Sequence, residues 1–350
     1  MLAYFHWRFS RSLILALTGL LLSACGDGPL VRQESFVFGT RVEIVSYGSP
    51  EPLAQAALNE VLREFDRLHR TYHAWQASEL TSLNSALAAG KTASLTPEMR
   101  FLLTESQRFA TLSEQLFDPA IGKLIQLWGF HSDSFEPRLP EPAALQAALD
   151  AKPSVTQLSI SGDLVRSSNR AVSLDFGGIA KGYALDRAAS ILRAHGVKNA
   201  LINIGGNVMA LGSKGKQPWQ VGIQHPRASG PLATLALYDG EAIGTSGDYQ
   251  RFFELEGQRY SHLLDPITGQ PARHTAAVTV LITPRDGAGL LSDVASKPVF
   301  LAADKWREMA RRCEVAHVLR VDAEGNITVT TDMRARLRWA AGASPAAVVE

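Results

Sequence analysis

Short apolar segments separated by turn residues occupy most of the second half of this 350-residue chain. Segments of this length, joined at hairpin spacing, predict antiparallel strands. Stretches with helical periodicity lie among them, so the pattern favours an α+β fold with largely antiparallel sheets and flanking helices. The predicted strands are Trp219–Ile223, Ala233–Tyr238, Arg251–Glu254, Tyr260–Leu264, Val278–Ile282, Val315–Val321 and Ile327–Thr330.

The first half of the chain predicts one strand and several helices. Phe36 to Tyr47 is rich in β-branched and aromatic residues, which is typical of a strand. Apolar residues from Ala54 to Leu68 recur at helical spacing, and further helices are predicted at 97–112, 141–152 and 182–194. The segment Ala200 to Met209 predicts a buried strand that ends near the glycine pair Gly205-Gly206.

The N-terminus has the layout of a bacterial lipoprotein signal. A short basic region precedes an apolar run from Leu13 to Leu22, which is shorter than the ~20 residues that a membrane-spanning helix needs. The run leads into Leu-Ser-Ala-Cys25, which resembles a lipobox. We therefore predict a signal peptide at 1–24 and an acylated Cys25 that anchors the protein on the periplasmic side of a bacterial membrane, with the inner membrane favoured. An uncleaved N-terminal anchor is the alternative.

Composition sets the remaining boundaries. Residues 26–35 are polar and contain Gly and Pro, so we predict that 25–35 comprises the lipidated cysteine and a tether. Residues 339–350 are rich in Ala and predict a disordered tail. A single domain is predicted between them, from 36 to 338.

The charge balance excludes one class of function. The chain has 35 Lys and Arg against 34 Asp and Glu, and no basic block stands out. Binding to nucleic acid through phosphate neutralisation is therefore not expected. The two cysteines, Cys25 and Cys313, are too few for a disulfide scaffold or a thiolate zinc site.

The segment from Leu174 to Asp186 combines a strand end, a glycine pair and a lysine at the start of a helix. Gly177 and Gly178 let the backbone come close to a ligand. The N-terminus of a helix favours an anion, and Lys181 adds a full positive charge. A tight strand-to-helix turn without a ligand is the alternative. The spacing matches neither a Walker loop nor a dinucleotide-binding fingerprint.

Three later segments contain further reactive or polar side chains. They are Thr245-Ser246-Gly247, the stretch from His262 to Asp265, and the stretch from Asp293 to Lys297. A histidine in such a position serves as a base or a phosphate ligand, or is a satisfied core group. An aspartate at the start of a helix is often only an N-cap.

Taken together and in order, these segments resemble the FAD:protein FMN transferase family, also called ApbE-like. The resemblance covers nearly the whole chain after the signal segment, with Phe38 at the place of the family's Met. It rests on Phe38-Gly39-Thr40, Ser78-Glu79-Leu80 with Leu83-Asn84, Phe117-Asp118-Pro119 with Leu127-Trp128-Gly129-Phe130, Asp175 to Asp186, Gly205-Gly206, Thr245-Ser246-Gly247, and His262 with Asp265-Pro266 and Thr268-Gly269.

The resemblance implies an ApbE-like flavin transferase fold with the FAD site between two lobes. Family members transfer the FMN half of FAD to a threonine hydroxyl of a protein and release AMP, with magnesium on the pyrophosphate. The acceptors are subunits of membrane redox complexes of the NADH:quinone reductase or Rnf type. We therefore expect a magnesium-dependent FAD:protein FMN transferase. Some members hydrolyse FAD to FMN and AMP, so an FAD pyrophosphatase is an alternative.

The resemblance also implies what individual residues do. Magnesium would be held by the Ala180 carbonyl and Asp293, and Ser296, one residue before the position of the family's metal-binding threonine, is a further candidate ligand. The catalytic candidates are His262 as the base for the acceptor threonine, Asp265 as the group that orients the imidazole, and Lys297. The candidates for binding the cofactor are Gly177, Gly178, Lys181, Asp186, Gly206, Thr245, Ser246, Gly247 and His262.

Lys297 departs from the family pattern, which has a metal-binding threonine four residues after the aspartate that corresponds to Asp293. A protonated lysine cannot ligate a cation and repels one. Three outcomes follow: Lys297 binds the pyrophosphate in place of part of the metal's charge, the metal shifts towards Asp293 and Ser296, or the chain is an FAD-binding lipoprotein without turnover. Pro298 also disfavours the α conformation at Lys297.

Overall fold

A computed structural model describes residues 28–132 and 136–349 of the chain. The predicted signal peptide at 1–24 and the predicted lipidation at Cys25 lie outside the described residues. Among the residues described, no helix combines the length and the apolar character needed to span a membrane.

Helices and strands alternate irregularly along the chain, as expected for an α+β fold. The helices are α1 Glu51–Thr71, α2 Glu79–Ala88, α3 Pro97–Leu112, α4 Gly122–Leu127, α5 Pro142–Asp150, α6 Ala180–Ala194, α7 Ala288–Leu301, α8 Trp306–Arg312 and α9 Thr331–Arg336. The strands are β1 Leu30–Val37, β2 Thr40–Tyr47, β3 Ala93–Ser94, β4 Leu158–Ser161, β5 Leu164–Ser167, β6 Ala200–Ile204, β7 Asn207–Leu211, β8 Trp219–Gln224, β9 Pro231–Leu237, β10 Ala242–Gly247, β11 Phe252–Leu255, β12 Gln258–Ser261, β13 Thr275–Ile282, β14 His317–Asp322, β15 Ile327–Thr330, β16 Leu337–Trp339 and β17 Ala347–Val349.

One large sheet organises the molecule. Its strand order is β1-β2-β6-β7-β10-β13-β14-β15-β17, and smaller sheets are formed by β16-β9-β8, by β3-β5-β4 and by the hairpin β11-β12. Every neighbouring pair in the large sheet is antiparallel except β15 and β17. The predicted α+β architecture with largely antiparallel sheets is therefore confirmed.

Both faces of the large sheet are covered. Successive side chains of a strand point to opposite faces, so Met209 and Leu211 of β7 pack on one side and Val208 and Ala210 on the other. The first side packs against α1, α6 and α7, and the second against β8, β9 and β16. A strand covered in this way is apolar throughout, and β13 is buried along its whole length.

An aromatic cluster attaches the β11-β12 hairpin to α4. Trp128 stacks on Tyr260 with ring centroids 5.6 Å apart, and Phe130 stacks on Phe253 at 5.7 Å. The indole N–H of Trp128 also donates to the carbonyl of Gly269 at 2.7 Å. These contacts fix the segment that follows β12, which contains His262.

The N-terminal strand differs from the prediction. Phe36 to Tyr47 is not one strand but part of the β1-β2 hairpin, which turns at Phe38 and Gly39, both with positive φ. Because β1 begins at Leu30, the predicted tether is wrong for residues 30–35. Their polar side chains alternate outwards along an edge strand, and this alternation gave the segment its polar composition.

Two further boundaries are corrected. Ala200 to Met209 spans two strands, β6 and β7, because Gly205 and Gly206 adopt positive φ and form a tight turn between them. The predicted disordered tail is wrong where β17 pairs parallel with β15, since the apolar Ala-Val-Val segment adds a strand to the sheet edge.

Helix α7 lies between α6 and the sheet and is the most enclosed helix around the site. Every residue of α7 other than Lys297 is buried, as expected for a helix that is packed on all sides. The helix continues through Pro298 to Leu301, so the conformational restriction predicted at Lys297 does not end it. Enclosure by neighbouring elements outweighs the loss of one backbone hydrogen bond.

Candidate active site

A cavity of about 530 Å³ lies where the turn after Leu174 meets α7 and the segment around β11 and β12. This volume falls within the range of small-molecule sites. Polar lining residues include Lys181, Thr245, His262 and Lys297. The structure thus brings together residues that are far apart in the sequence and that were predicted to share one site.

The turn from Asp175 to Lys181 is organised by a buried carboxylate. Asp175 Oδ1 accepts from the Gly177 N–H at 2.7 Å, and Oδ2 accepts from the Trp75 indole N–H at 3.1 Å. Burial raises the pKa of Asp175 above its ordinary value, although both donors favour the ionised form. Lys181 Nζ donates back to the Gly177 carbonyl at 3.1 Å. Gly177, Gly178 and Lys181 all line the cavity.

Two glycines let α6 and α7 cross at close range. A Cβ atom on Gly182 would lie 2.5 Å from the Gly289 carbonyl oxygen and 2.6 Å from the Asp293 Cβ. The approach allows Asp293 Oδ2 of α7 to accept from the Gly182 N–H of α6 at 2.8 Å. In the opposite direction, Asp186 of α6 accepts from two backbone N–H groups at the start of α7.

Asp186 is therefore not placed as predicted. Its carboxylate binds the N–H groups of Gly289 and Leu290, both at 2.8 Å, and it does not line the cavity. Burial raises the pKa of Asp186 to about 6. The side chain supports the start of α7 and does not face a cofactor, because its donors lie in the neighbouring helix.

The ammonium groups of two lysines lie close to the Asp293 carboxylate. Lys297 Nζ donates to Asp293 Oδ1 at 2.5 Å and to the Asp293 carbonyl oxygen at 2.7 Å, and Lys181 Nζ lies 3.9 Å from the same Oδ1. Burial alone would raise the pKa of Asp293, but the two lysines hold it below its ordinary value. Burial lowers the pKa of Lys297 to about 8, and Asp293 opposes that effect. We call Asp293, Lys297 and Lys181 the lysine–aspartate cluster.

His262 lines the same cavity, and one of its ring nitrogens is committed to a backbone contact. Its Nδ1 is 3.1 Å from the backbone carbonyl of Arg251. A carbonyl can only accept, so Nδ1 carries the proton and Nε2 has the free lone pair. Burial, with Arg251 nearby, lowers the pKa of His262 to about 3. The imidazole is thus neutral and has a fixed tautomer.

The predicted pairing of Asp265 with His262 is wrong. Asp265 Oδ1 accepts from the Ile267 N–H at 2.8 Å, and Oδ2 accepts from the Thr268 hydroxyl at 3.0 Å. The carboxylate closes its own Asp-Pro-Ile-Thr turn, which is the usual use of aspartate in such a sequence. The Arg251 carbonyl takes the orienting position instead.

Of the other residues predicted to bind the cofactor, two line the cavity and two do not. Thr245 and Ser246 line the cavity. Gly247 does not line it, and it leaves room for Tyr249, whose ring would lie 2.4 Å from a Cβ at that position. Gly206 lines a smaller neighbouring cavity of about 390 Å³.

Comparison with known proteins identifies the family. The sequence profile of the ApbE family matches residues 38–319. The chain belongs to the ApbE family. It is 40% identical to an FAD:protein FMN transferase of Rhodobacter capsulatus over 95% of this chain and 63% of that protein, so it spans less than two thirds of that relative. It is 31% identical to one of Treponema pallidum over 80% of this chain and 82% of that protein.

Solved ApbE structures share the fold. The ApbE protein of Thermotoga maritima matches with a TM-score of 0.80 and 30% identity, covering 89% of this chain and 100% of that one. The apo form of the flavinyl transferase ApbE of Pseudomonas stutzeri matches with a TM-score of 0.76 and 29% identity, covering 88% and 97%. The ApbE fold of this chain is therefore shown. The placement of the site between two lobes stays a prediction.

The donors around Asp293 in this ApbE-family chain do not fit a divalent cation. Magnesium needs oxygen ligands in near-octahedral geometry, but Asp293 Oδ1 already accepts from an ammonium group. The Ser296 hydroxyl does not line the cavity, because it donates to the Asp293 carbonyl and lies 2.8 Å from the Ser246 hydroxyl. Ala180, the residue whose carbonyl was also predicted to hold magnesium, does line the cavity. Among the described residues there is also no group of three or more His, Cys, Asp or Glu suited to a metal.

Two cavity residues were not predicted from the sequence. Arg251 donates to the carbonyls of Phe130 and Ser132, at 3.0 and 2.9 Å, and its guanidinium lies 5.6 Å from the Trp75 ring. Trp75 in turn holds Asp175 through its indole N–H. Neither residue belongs to a recognisable local motif, because each is defined by partners more than 90 positions away.

Proposed function

We propose that this ApbE-family protein is an FAD:protein FMN transferase, which moves the FMN half of FAD onto a threonine hydroxyl and releases AMP. The proposal rests chiefly on one arrangement: two ammonium groups and a neutral imidazole share a single cavity. The reaction needs cations for an anionic diphosphate and an acceptor for a hydroxyl proton. The transferases of Rhodobacter capsulatus and Treponema pallidum support the assignment.

The transfer step follows from phosphoryl chemistry. The threonine oxygen attacks the phosphorus on the FMN side, and the bond from that phosphorus to the bridging oxygen breaks. The bridging oxygen leaves with AMP, and a new phosphoester joins FMN to the threonine. The hydroxyl proton passes to Nε2 of His262, the ring nitrogen that the Arg251 carbonyl leaves free.

The donor itself would strengthen this base. His262 has a low pKa because it is buried and because Arg251, Lys181 and Lys297 lie near it. An anionic diphosphate would neutralise part of that positive charge and raise the pKa of the imidazole. Binding of FAD would therefore improve His262 as a proton acceptor at the step where one is needed.

The acceptor and the location complete the proposal. The acceptor would be a threonine-bearing subunit of a membrane redox complex of the NADH:quinone reductase or Rnf type. The lipobox-like Leu-Ser-Ala-Cys25 supports an acylated protein, held on the periplasmic side of the inner membrane, where it would meet such subunits. The proposed reaction has no magnesium-dependent step, because the donors around Asp293 do not fit this cation.

The test incubates the full-length protein with FAD and a purified acceptor domain that carries the candidate threonine. Intact mass of the acceptor and free AMP are measured together, and an acceptor with Thr→Ala is the control. We expect equal amounts of AMP and FMN-labelled acceptor. In His262→Ala the transfer rate should fall about 10²- to 10⁴-fold with FAD affinity nearly unchanged. The matched control is His195→Ala, on the surface beside Glu60.

Other results would contradict either the proposed reaction or the role assigned to His262. AMP without labelling of any acceptor would identify an FAD pyrophosphatase. Bound FAD with neither product would identify a non-catalytic FAD-binding lipoprotein. An unchanged rate in His262→Ala would remove the assigned base while leaving the transferase intact.

A further inference from the structure

The lysine–aspartate cluster places more positive than negative groups on one part of the cavity wall. One carboxylate, Asp293, is shared by Lys297 Nζ at 2.5 Å and Lys181 Nζ at 3.9 Å. Two ammonium groups against one carboxylate give the cluster itself one net positive charge, and the wider lining adds the carboxylates of Asp118 and Asp175 and the guanidinium of Arg251. Metal-binding sites have the reverse balance, with carboxylates in excess.

Lys297 is held in place and cannot easily swing away. Its side chain is only 15% exposed. A Cβ atom on Gly178 would come within 3.2 Å of Lys297 Cε, so the absence of a side chain at Gly178 makes room for the lysine stem. The buried helix α7 fixes the backbone at the other end. The ammonium group is therefore a built part of the wall.

The hydrogen-bonding capacity of the two lysines is not exhausted. An ammonium group has three N–H donors. Lys297 uses two, on Asp293 Oδ1 and on the Asp293 carbonyl oxygen, and Lys181 uses one on the Gly177 carbonyl. By the described contacts, one donor on Lys297 and two on Lys181 remain for a ligand. Lysines act as point charges for phosphate groups and tolerate many approach directions.

We propose that the ammonium groups of Lys297 and Lys181 take the place of a divalent cation, so that this protein binds the diphosphate of its dinucleotide donor without a metal. The inference rests on the proposed function, because the donor is taken to be FAD. Asp293 then serves as the counter-ion that positions Lys297, not as a metal ligand.

The alternative in which a metal binds between Asp293 and Ser296 lacks a ligand set. The Ser296 hydroxyl is committed to the Asp293 carbonyl and to Ser246, on the side of α7 that faces β10. A cation on Asp293 Oδ1 would share that oxygen with the Lys297 ammonium, and the two positive charges would repel each other at short range.

The test measures FAD binding to the full-length protein in detergent, after metal removal, by quenching of flavin fluorescence in EDTA and in millimolar MgCl₂. For the unmodified chain we expect the two dissociation constants to agree within about twofold. Lys297→Thr should bind FAD about 10- to 100-fold more weakly in EDTA and recover in MgCl₂. Lys297→Arg keeps the charge and should stay independent of magnesium.

Two measurements accompany the binding curves. Calorimetric titration of MgCl₂ into the protein without FAD should give no binding heat for the unmodified chain and a saturable signal for Lys297→Thr. Lys305→Thr removes one exposed positive charge outside the cavity, so it controls for net charge and should bind FAD normally. Transfer of FMN to the acceptor should continue in EDTA.

The outcomes separate this inference from the function on which it rests. Binding or transfer that requires MgCl₂ in the unmodified chain overturns the inference and leaves the transferase standing. Unaltered FAD affinity of Lys297→Thr in EDTA also overturns it. Absence of FAD binding under both conditions overturns the inference and the proposed function together.

Discussion

Asp186 and Asp293 each reach across the crossing of α6 and α7 to the other helix, yet their surroundings differ. Asp186 reaches from α6 to backbone N–H groups of α7, and Asp293 reaches from α7 to a backbone N–H of α6. The two carboxylates differ in their partners. Asp293 has the ammonium groups of Lys297 and Lys181 beside it, whereas the described hydrogen bonds to Asp186 come from backbone N–H groups alone. The pKa of Asp293 is accordingly lowered and that of Asp186 raised.

The comparison shows how one helix crossing can provide both a structural and a chemical carboxylate. Both side chains are held by the same close approach of Gly182 to Gly289. Of the two aspartates, Asp293 lines the cavity together with Lys297 and Lys181, and Asp186 does not. A buried aspartate is therefore informative about function only when its partners are known.

The largest expected effect is on removal of Asp293. Asp293→Ala leaves the enclosed Lys297 ammonium without its counter-ion, which typically costs about 3–5 kcal/mol of stability. Urea unfolding measures this loss, with Asp186→Ala as the matched comparison at about 1–2 kcal/mol, the cost of leaving buried donors unpaired. The double change Asp293→Leu with Lys297→Leu should recover most of the loss. A loss below ~1 kcal/mol in Asp293→Ala would show that the pair is not desolvated.

The next effect is the pH dependence of stability, which follows from the opposite pKa shifts of the two aspartates. Burial raises the pKa of Asp186 from 3.8 to about 6. An acid with a higher pKa in the folded state binds its proton more tightly there, so its contribution to stability is full below the unfolded pKa and is lost as the pH rises through the folded one. Asp186→Asn removes this titration. From about pH 4 to 6 the free energy of unfolding of the unmodified chain should fall relative to Asp186→Asn, by at most ~3 kcal/mol.

A difference that stays constant across this pH range would contradict the raised pKa of Asp186. A difference that grows in favour of the unmodified chain would mean that the two N–H donors outweigh burial. Urea unfolding of both proteins in matched buffers measures the difference, and effects of all other titrating groups cancel in it.

How much of this arrangement could be predicted from the sequence depends on how local it is. The turn from Gly177 to Lys181 is a continuous segment that was predicted to belong to the site, and it lines the cavity. The contact of Lys297 with Asp293 also follows from helical spacing of four residues. By contrast, Asp186 finds its donors more than 100 positions away, at Gly289 and Leu290, so no local pattern indicates that it faces α7.

Asp265 failed as a prediction for the opposite reason. Its short sequence distance from His262 suggested a pair, but the turn that follows offers nearer donors, Ile267 and Thr268. The imidazole instead pairs with the Arg251 carbonyl, which the β11-β12 hairpin brings to it. Ser296 does not line the cavity, since the orientation of α7 that places Lys297 on the cavity directs the Ser296 hydroxyl towards Ser246.

The smallest effect comes from the glycines that hold both aspartates, and it sharpens the comparison most. Gly182→Ala would place its Cβ 2.6 Å from Asp293 Cβ, whereas Gly289→Ala would place it 2.8 Å from Asp186 Oδ1. Both overpack the crossing and should cost about 1–3 kcal/mol. Only the first displaces the lysine–aspartate cluster, so FAD affinity should fall about tenfold in Gly182→Ala and remain within about threefold in Gly289→Ala. Equal loss of FAD affinity in both variants would mean that α7 moves as one body, and that the two aspartates are not separable.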